Sequence, residues 1–536
     1  LRISLTQGAY STRSIIASAQ RCVNLYPESN PSGTILELQA ASGASPYATG
    51  GSSSVGAPRT YYPAPGLRPL ASPPTAGPAR GLYWANSGQL FYVCGTSVYI
   101  VASNWTMTNI GSIAYRTTPV SMADNGSTLV LVDGTTAGYQ VRFGTSTLVP
   151  ISESTNSPTV SGAVFAFYGA DRADVLDGYL LFNQPGTRNF YSTYNNEVVF
   201  DALFFAAKNG YSDNLVAVAV TRREIWLIGQ RTTEVWYDAG GAAFPFQIIP
   251  GPFVQHGCVA KYSIAQVDGS VFFLSQDQAG QNILLRTQGN EVVRTSNHAI
   301  ETEWSTYATT TDAVGFCFQQ NGHPFYQINF PTADKSWRYD QSTDEWHEPV
   351  WLDDEGVEHR HRAQVAAFAY GVNVVADWQT GDLYALDPTV YTDAGAPMYW
   401  ERGWPHLMND GKRVRYTAFT ADMECGDYTG YPWMPRPDAP TGPSDIGDFI
   451  IGLSPIGGVA PFIPDQPTAQ LSWSDDRGRT FGNPVQQTVG ATGKYLTQPK
   501  WNRLGMARDR VFKLSGTVPG PMALNGAFIE VQGLAT

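Results

Sequence analysis

Four groups of residues have the types and spacing to do chemistry. Ser474, Asp476, Gly478, Thr480 and Phe481, within LSWSDDRGRTFGNP, follow the pattern S-x-D-x-G-x-T-aromatic, the Asp-box of sialidases. An Asp carboxylate can accept several amides of one turn and glycine frees the backbone, so the motif bends a chain before it does anything else. A sialidase carries several copies and needs an arginine cluster, an activated Tyr and a nearby acid. This chain has one copy and scattered basic residues, so the five are read as a structural turn. His359 and His361, preceded by Asp353, Asp354, Glu355 and Glu358, form the densest set of metal-ligand types. Alternate residues of a strand share a face and two imidazoles with a carboxylate could hold a divalent ion, but two histidines alone do not define a site. The expectation is a solvated, charge-balanced hairpin end beside Arg360 and Arg362. Carboxylates for glycoside hydrolysis can be drawn from Asp171 and Asp174 in GADRADVLDGYLLF, or from Asp238 in EVWYDAGG; each reads better as a turn former beside a strand. No G-x-S-x-G elbow, phosphate-cradling G-x-x-x-x-G-K-[ST] loop or H-E-x-x-H helix occurs. Hence no catalytic, cofactor-binding or metal-binding residue is expected, and no cofactor.

The elements that must position these groups are short. Of 536 residues, 43% are hydrophobic and only 15% charged, with 53 Gly and 36 Pro. Long helices would need many more Lys and Glu on their exposed faces, so this composition points to an all-β protein of many strands and tight turns. The net charge of -12 argues against a general nucleic-acid binder. Cys22, Cys94, Cys258, Cys317 and Cys425 are odd in number and lack metal spacing, so they read as small buried hydrophobes. No apolar run reaches the length of a membrane span and no leader pattern opens the sequence, so a soluble, non-exported protein is expected.

Residues 1–80 read as an extended arm and docking segment, with Gly, Ala, Ser and Pro dominating 41–80. From there to residue 390, apolar runs of four to seven residues alternate with Gly, Asp and Asn. The strongest, near Phe91, Leu129, Tyr179, Ile225, Val271, Phe325 and Val374, recur every 40 to 55 residues or so, the length of a four-stranded propeller blade. A β-propeller body over 81–390 is therefore expected, with stacked sandwiches as the rival. Residues 391–536 read as a C-terminal β region closing or extending the propeller. Within it, Gly526 to Gln532 could return to the first sheet. The tract 426–467 reads as a long insertion whose Ile446, Phe449, Ile450, Ile451, Phe462 and Ile463 call for a partner surface, at a tip or an intersubunit contact.

In order, YSTRSIIASAQRCVNLYPE, PAPGL at 63–67, GADRADVLDGYLLFNQPGTRNFYST, EIWLIGQRTTEVWYDAGGAAFPFQIIPGPFVQHGC, SWRYDQSTDEWHE, LSWSDDRGRTFGNP and WNRLGMARDRVF resemble the tail nozzle proteins of short-tailed bacteriophages, also called packaged-DNA stabilisation or head-closure proteins. The likeness spans nearly the whole chain; the expanded arm at 41–62 and the 426–467 insertion depart from it. It implies a propeller-containing subunit of a virion's short tail, assembled in the host cytoplasm as a homo-hexamer below the portal and adaptor rings. Such a ring extends the DNA channel, retains the packaged genome until ejection, and offers surfaces to a tail needle or plug and to tailspikes or fibres. Double-stranded DNA would pass without sequence-specific binding. A propeller's own hole is too narrow for a duplex, so the conduit would lie between subunits, with a polar or acidic wall. Two other readings compete: a sialidase-like propeller glycosidase, and a non-catalytic receptor-binding propeller at the tail periphery.

Overall fold

A computed structural model describes residues 2–4, 12–15, 18–29, 59–241, 244–424, 426, 468–490, 493–517 and 520–533. The 426–467 insertion beyond Gly426, residues 41–58 of the arm, and Cys425 lie outside these. The chain is mostly β, with 52% strand and 3% helix.

Among the described residues six four-stranded antiparallel sheets follow one another, and a six-stranded sheet supplies a seventh blade. Blades 1 to 6 occupy 79–112, 121–150, 173–207, 215–254, 265–294 and 314–347, and blade 7 runs over 363–387. The leading strands (Ala79–Trp84, Ser121–Asp124, Ala173–Leu176, Leu215–Thr221, Ala265–Val267, Val314–Gln320 and Ala363–Ala369) are neighbours around a common axis, and blade 7 packs back on blade 1. The second strands are apolar on both faces because each lies between two other blades: Leu90–Cys94 is buried throughout, and Ser270–Gln276 in all but its last residue. Each junction has its own core. Phe91, Val93, Leu129 and Leu131 join blades 1 and 2, while Tyr92, Val101, Val374 and Leu383 join 7 to 1. A closed ring has as many junctions as blades, and seven such cores are present.

The fourth strand of blade 7 is Gly66–Ala71, which pairs antiparallel with Leu383–Asp387. Closure thus comes from the segment expected as an arm, and not from the C-terminal region. Leu67 explains the placement, since it is buried with Val375, Tyr384 and Leu386. Gly526 to Gln532 belong instead to Leu524–Gly533, in a second β unit. One sheet of that unit runs Leu25–Ser29, Arg59–Pro63, Leu524–Gly533, Val414–Met423, Lys500–Asn502. The other runs Cys22–Val23, Trp400–Gly403, Asp509–Gly516, Thr468–Ser474, Val485–Thr488. Between them lie Tyr61, Trp400, Trp404, Phe419, Trp501 and Phe512, with Trp404 and Trp501 edge-on to Phe419 at 5.3 and 5.9 Å. Early and late strands of the chain therefore share one sandwich core.

Candidate functional site at the junction of propeller and sandwich

The Asp-box lies in the sandwich, between Thr468–Ser474 and Val485–Thr488. Asp476 Oδ1 accepts from the amides of Arg479 (3.0 Å) and Thr480 (2.9 Å) and from the Ser474 hydroxyl (2.6 Å), and the Thr480 hydroxyl donates to Oδ2 (2.6 Å). The Gly478 amide donates to Ser474 Oγ at 2.8 Å. Those donors, Ser474 and Thr480 foremost, hold the Asp476 carboxyl well below the usual carboxylate range. With its oxygens committed, this carboxylate is not poised for acid or base chemistry. Phe481 lies beneath the Lys513 ammonium, 4.8 Å from ring centre to Nζ. The turn abuts the early segment: a Cβ on Gly478 would stand 2.5 Å from Ala19 Cβ and 3.5 Å from Ile15.

That early segment is clamped between the two β units. Arg21 reaches Glu348 (2.8 Å) and Glu358 (2.6 Å), which follow blade 6, and comes within 3.9 Å of Glu401 in the sandwich. Lys513 and the Tyr399 hydroxyl also reach Glu401, at 3.3 and 2.5 Å. Burial opposes the Arg21 charge, yet Glu348 and Glu358 hold it above its usual range. Asn24, at φ 50°, donates from its side chain to the carbonyls of Val350 (2.7 Å) and Tyr399 (2.8 Å) and accepts the Val350 amide (3.0 Å). One side chain thereby joins the propeller's exit to the sandwich. His406 lies between two acceptors, the Asp509 carboxylate (2.8 Å) and the Ile15 carbonyl (2.9 Å). Arg21 and its partners line a cavity of about 380 Å³, where Arg21, Lys335 and Lys513 face Glu303, Glu348, Glu358 and Glu401. Burial and the nearby Glu348 raise the Glu303 carboxyl above its usual value. The arrangement fixes two bodies together with ion pairs; no nucleophile is set against a base here.

Polar side chains link the blades where the leading strands begin. Arg172, just before blade 3, donates to the carbonyl of Ile264, just before blade 5, at 2.8 Å. Lys261 pairs with Asp171 over the same gap at 2.7 Å, and Arg80 of blade 1 reaches Asp133 of blade 2 at 3.5 Å. Burial lowers the Arg172 guanidinium from its usual range. Side chains just before blades 3 and 5 thus bridge across blade 4.

The remaining candidates are dispersed. Asp174 accepts the Val220 amide of the next blade (2.8 Å), and burial raises its carboxyl. Asp238 accepts the Gly240 amide (2.8 Å), a turn contact. His359 and His361 do not share a face: the strand ends at Arg360. His359 bonds Asp334 (2.6 Å) and Asp353 (3.1 Å), which raise its pKa, Asp353 foremost, and stacks on Trp351. His361 is buried, its Nδ1 accepts the Ala363 amide (3.2 Å), and burial holds it well below the ordinary imidazole value. Among the described residues, no group of three His, Cys, Asp or Glu is arranged to hold a metal ion. Sequence reasoning passed over Arg21, Asn24 and Arg172. The first two stand in SAQRCVNLYPE and the third in GADRADVLDG, but nothing local marks their distant partners.

Residues 53–391 match the family described as bacteriophage P22 Gp10, beta-propeller, and residues 449–532 match bacteriophage P22 Gp10, beta-sandwich. No curated protein matches the chain. Similar solved structures include the WD40 beta propeller domain of Doa1, 11% identical over 60% of this chain and 96% of that one, with a TM-score of 0.36. A mitotic checkpoint complex chain is 10% identical over 57% and 89%, at 0.33; neither likeness bears on function. The two family matches divide the chain as its two β units do, and the propeller match alone covers more than half of it: the chain belongs to the bacteriophage P22 Gp10 family of structural tail proteins, the tail nozzle or head-closure proteins of podoviruses.

Proposed function

We propose that the chain is the repeating subunit of a hexameric tail nozzle below the portal and adaptor rings. Built in the host cytoplasm, the ring lengthens the DNA channel, retains the packaged genome and permits its ejection. Its role is scaffolding, with a tail needle or plug and tailspikes or fibres as further partners. The observation that carries this reading is the pair of family matches, propeller and sandwich, to a structural tail protein; a propeller's own hole is too narrow for a duplex. A family of structural tail proteins then needs its passage between subunits, which a closed cyclic assembly supplies. The net charge of -12 suits a wall that phosphates slide past, since each favourable phosphate contact would add affinity and friction. Electron microscopy of the purified full chain tests this. Sixfold rings with a lumen wide enough for a duplex are expected; a stable monomer or a trimer would exclude the nozzle.

A further inference from the structure

Blade 3 ends in Phe200–Ala207, and this strand departs from its partner Asn189–Thr193 by a large bulge: Thr193 faces Phe200 while Tyr191 faces Phe205. The extra residues are braced. Asp201 accepts the Leu203 amide on one oxygen (3.0 Å) and the Tyr194 hydroxyl on the other (2.6 Å), and Phe204 packs on Tyr194 at 4.7 Å. The Ala202 amide donates to the Val164 carbonyl at 2.8 Å, tying the bulge to the preceding connection. Along that connection Phe165 and Phe167 turn inward onto Phe200, leaving Val164 and Tyr168 outward. The product of all this bracing is a leucine in water: Leu203 is 71% exposed, beside Val164 at 63% and a half-exposed Phe205.

Single exposed apolar residues need no explanation, but a cluster held rigid at the cost of regular pairing does. Charge on the rim is sparse, with the exposed Glu153 and Glu197 flanking its two segments. Residues 154–170 contain no Asp, Glu, Lys or Arg, and the only charged residue in 198–207 is Asp201, which is buried. The sandwich does not cover it, because blades 2 and 3 lie halfway round the seven-membered ring from blade 6, where Arg21 makes its junction.

We infer that this rim, built on Leu203, Phe205, Val164 and Tyr168, is the surface on which a second copy of the chain docks, an inference that rests on the ring reading above. Electrostatics selects the occupant. Copies carrying -12 each repel wherever their acidic surfaces meet, and an apolar face with its charges only at the margin lets them approach with few carboxylates buried. A basic partner would be drawn to the more acidic surface and would have no need of this apolar one. Leu203 on its braced bulge then acts as the pre-ordered anchor of the contact.

Sedimentation velocity and amide hydrogen exchange on the purified full chain test this, comparing wild type with Leu203→Lys and with Leu496→Lys. Leu496 is 98% exposed on the sandwich and serves as the control. Leu203→Lys is expected to need at least about tenfold more protein to assemble, with an unchanged melting temperature, while Leu496→Lys behaves as wild type. Amides of 201–206 should exchange more slowly in the ring than in the dissociated variant. Assembly of Leu203→Lys at wild-type concentrations would overturn the inference. So would protection of 201–206 that appears only when other tail proteins are added, since the occupant would then be one of those. A wild-type chain that forms no ring at all fails the ring reading itself, a distinct result.

Discussion

Gly478 carries two constraints at once: its φ of +84° belongs to the left-handed region, and any Cβ there meets Ala19 at 2.5 Å. The Gly478→Ala substitution is therefore expected to cost about 2 kcal/mol or more, measured by urea unfolding. Adding Ala19→Gly should recover the steric part and leave the backbone part. Equal stability of Gly478→Ala and wild type would mean that the turn does not press on the early segment. The turn's bonds run among residues 474 to 480, so its spacing is visible in seven letters. Arg21 is the opposite case: its carboxylates lie 327 and 337 residues away, and the glutamates look like any others until the fold gathers them.

Blade 6 and the start of blade 7 enclose an unusual set of basic groups. Arg338 is buried, bonded to Gln327 (2.7 Å) and laid over Phe318, and burial pushes its guanidinium down to about 9. His347 and His361 are held well below the ordinary imidazole value, first by burial and then by the Arg338 charge. Both therefore stay neutral in the folded protein, while in the unfolded chain they take up protons below the reference value of 6.5. Their contribution to stability is complete above that value and is lost as pH falls below it, by about 2 kcal/mol each at pH 5. His323 works the other way, since Asp340 raises its pKa and favours the folded state in acid. The His361→Asn variant, whose side-chain oxygen can still accept the Ala363 amide, should lose one histidine's share of the pH slope between 7 and 5. Denaturant titrations at a series of pH values would show it, and an unaltered slope would refute the assignment. At this scale the sequence was legible in a selective way. Phe91, Leu129, Tyr179, Ile225, Val271, Phe325 and Val374 all fall on the second strand of their blade, because burial on both faces demands unbroken apolar runs. Closing strand GLRPLA hides among Pro and Gly, and the sandwich draws its strands from segments hundreds of residues apart.

For the whole molecule, the proposed passage of DNA makes a prediction about charge. An acidic assembly should bind duplex DNA weakly, and the logarithm of its affinity should change little with the logarithm of salt concentration. A protein neutralising Z phosphates would instead show a slope near about -0.9Z. Fluorescence anisotropy with a short duplex across a salt series would measure it; a steep slope would identify a basic wall and replace sliding with gripping. One further consequence follows from the strand Gly66–Ala71 and its neighbours. Blade 7 cannot be finished until Leu383–Asp387 has been made, and Leu25–Ser29 and Arg59–Pro63 wait still longer for Leu524–Gly533. At ribosomal speeds of about 5–20 residues per second, the first strands spend tens of seconds in the cell before their partners exist. During synthesis the nascent chain thus holds two closures open, the propeller's until Leu383–Asp387 has emerged and the sandwich's until Leu524–Gly533 has.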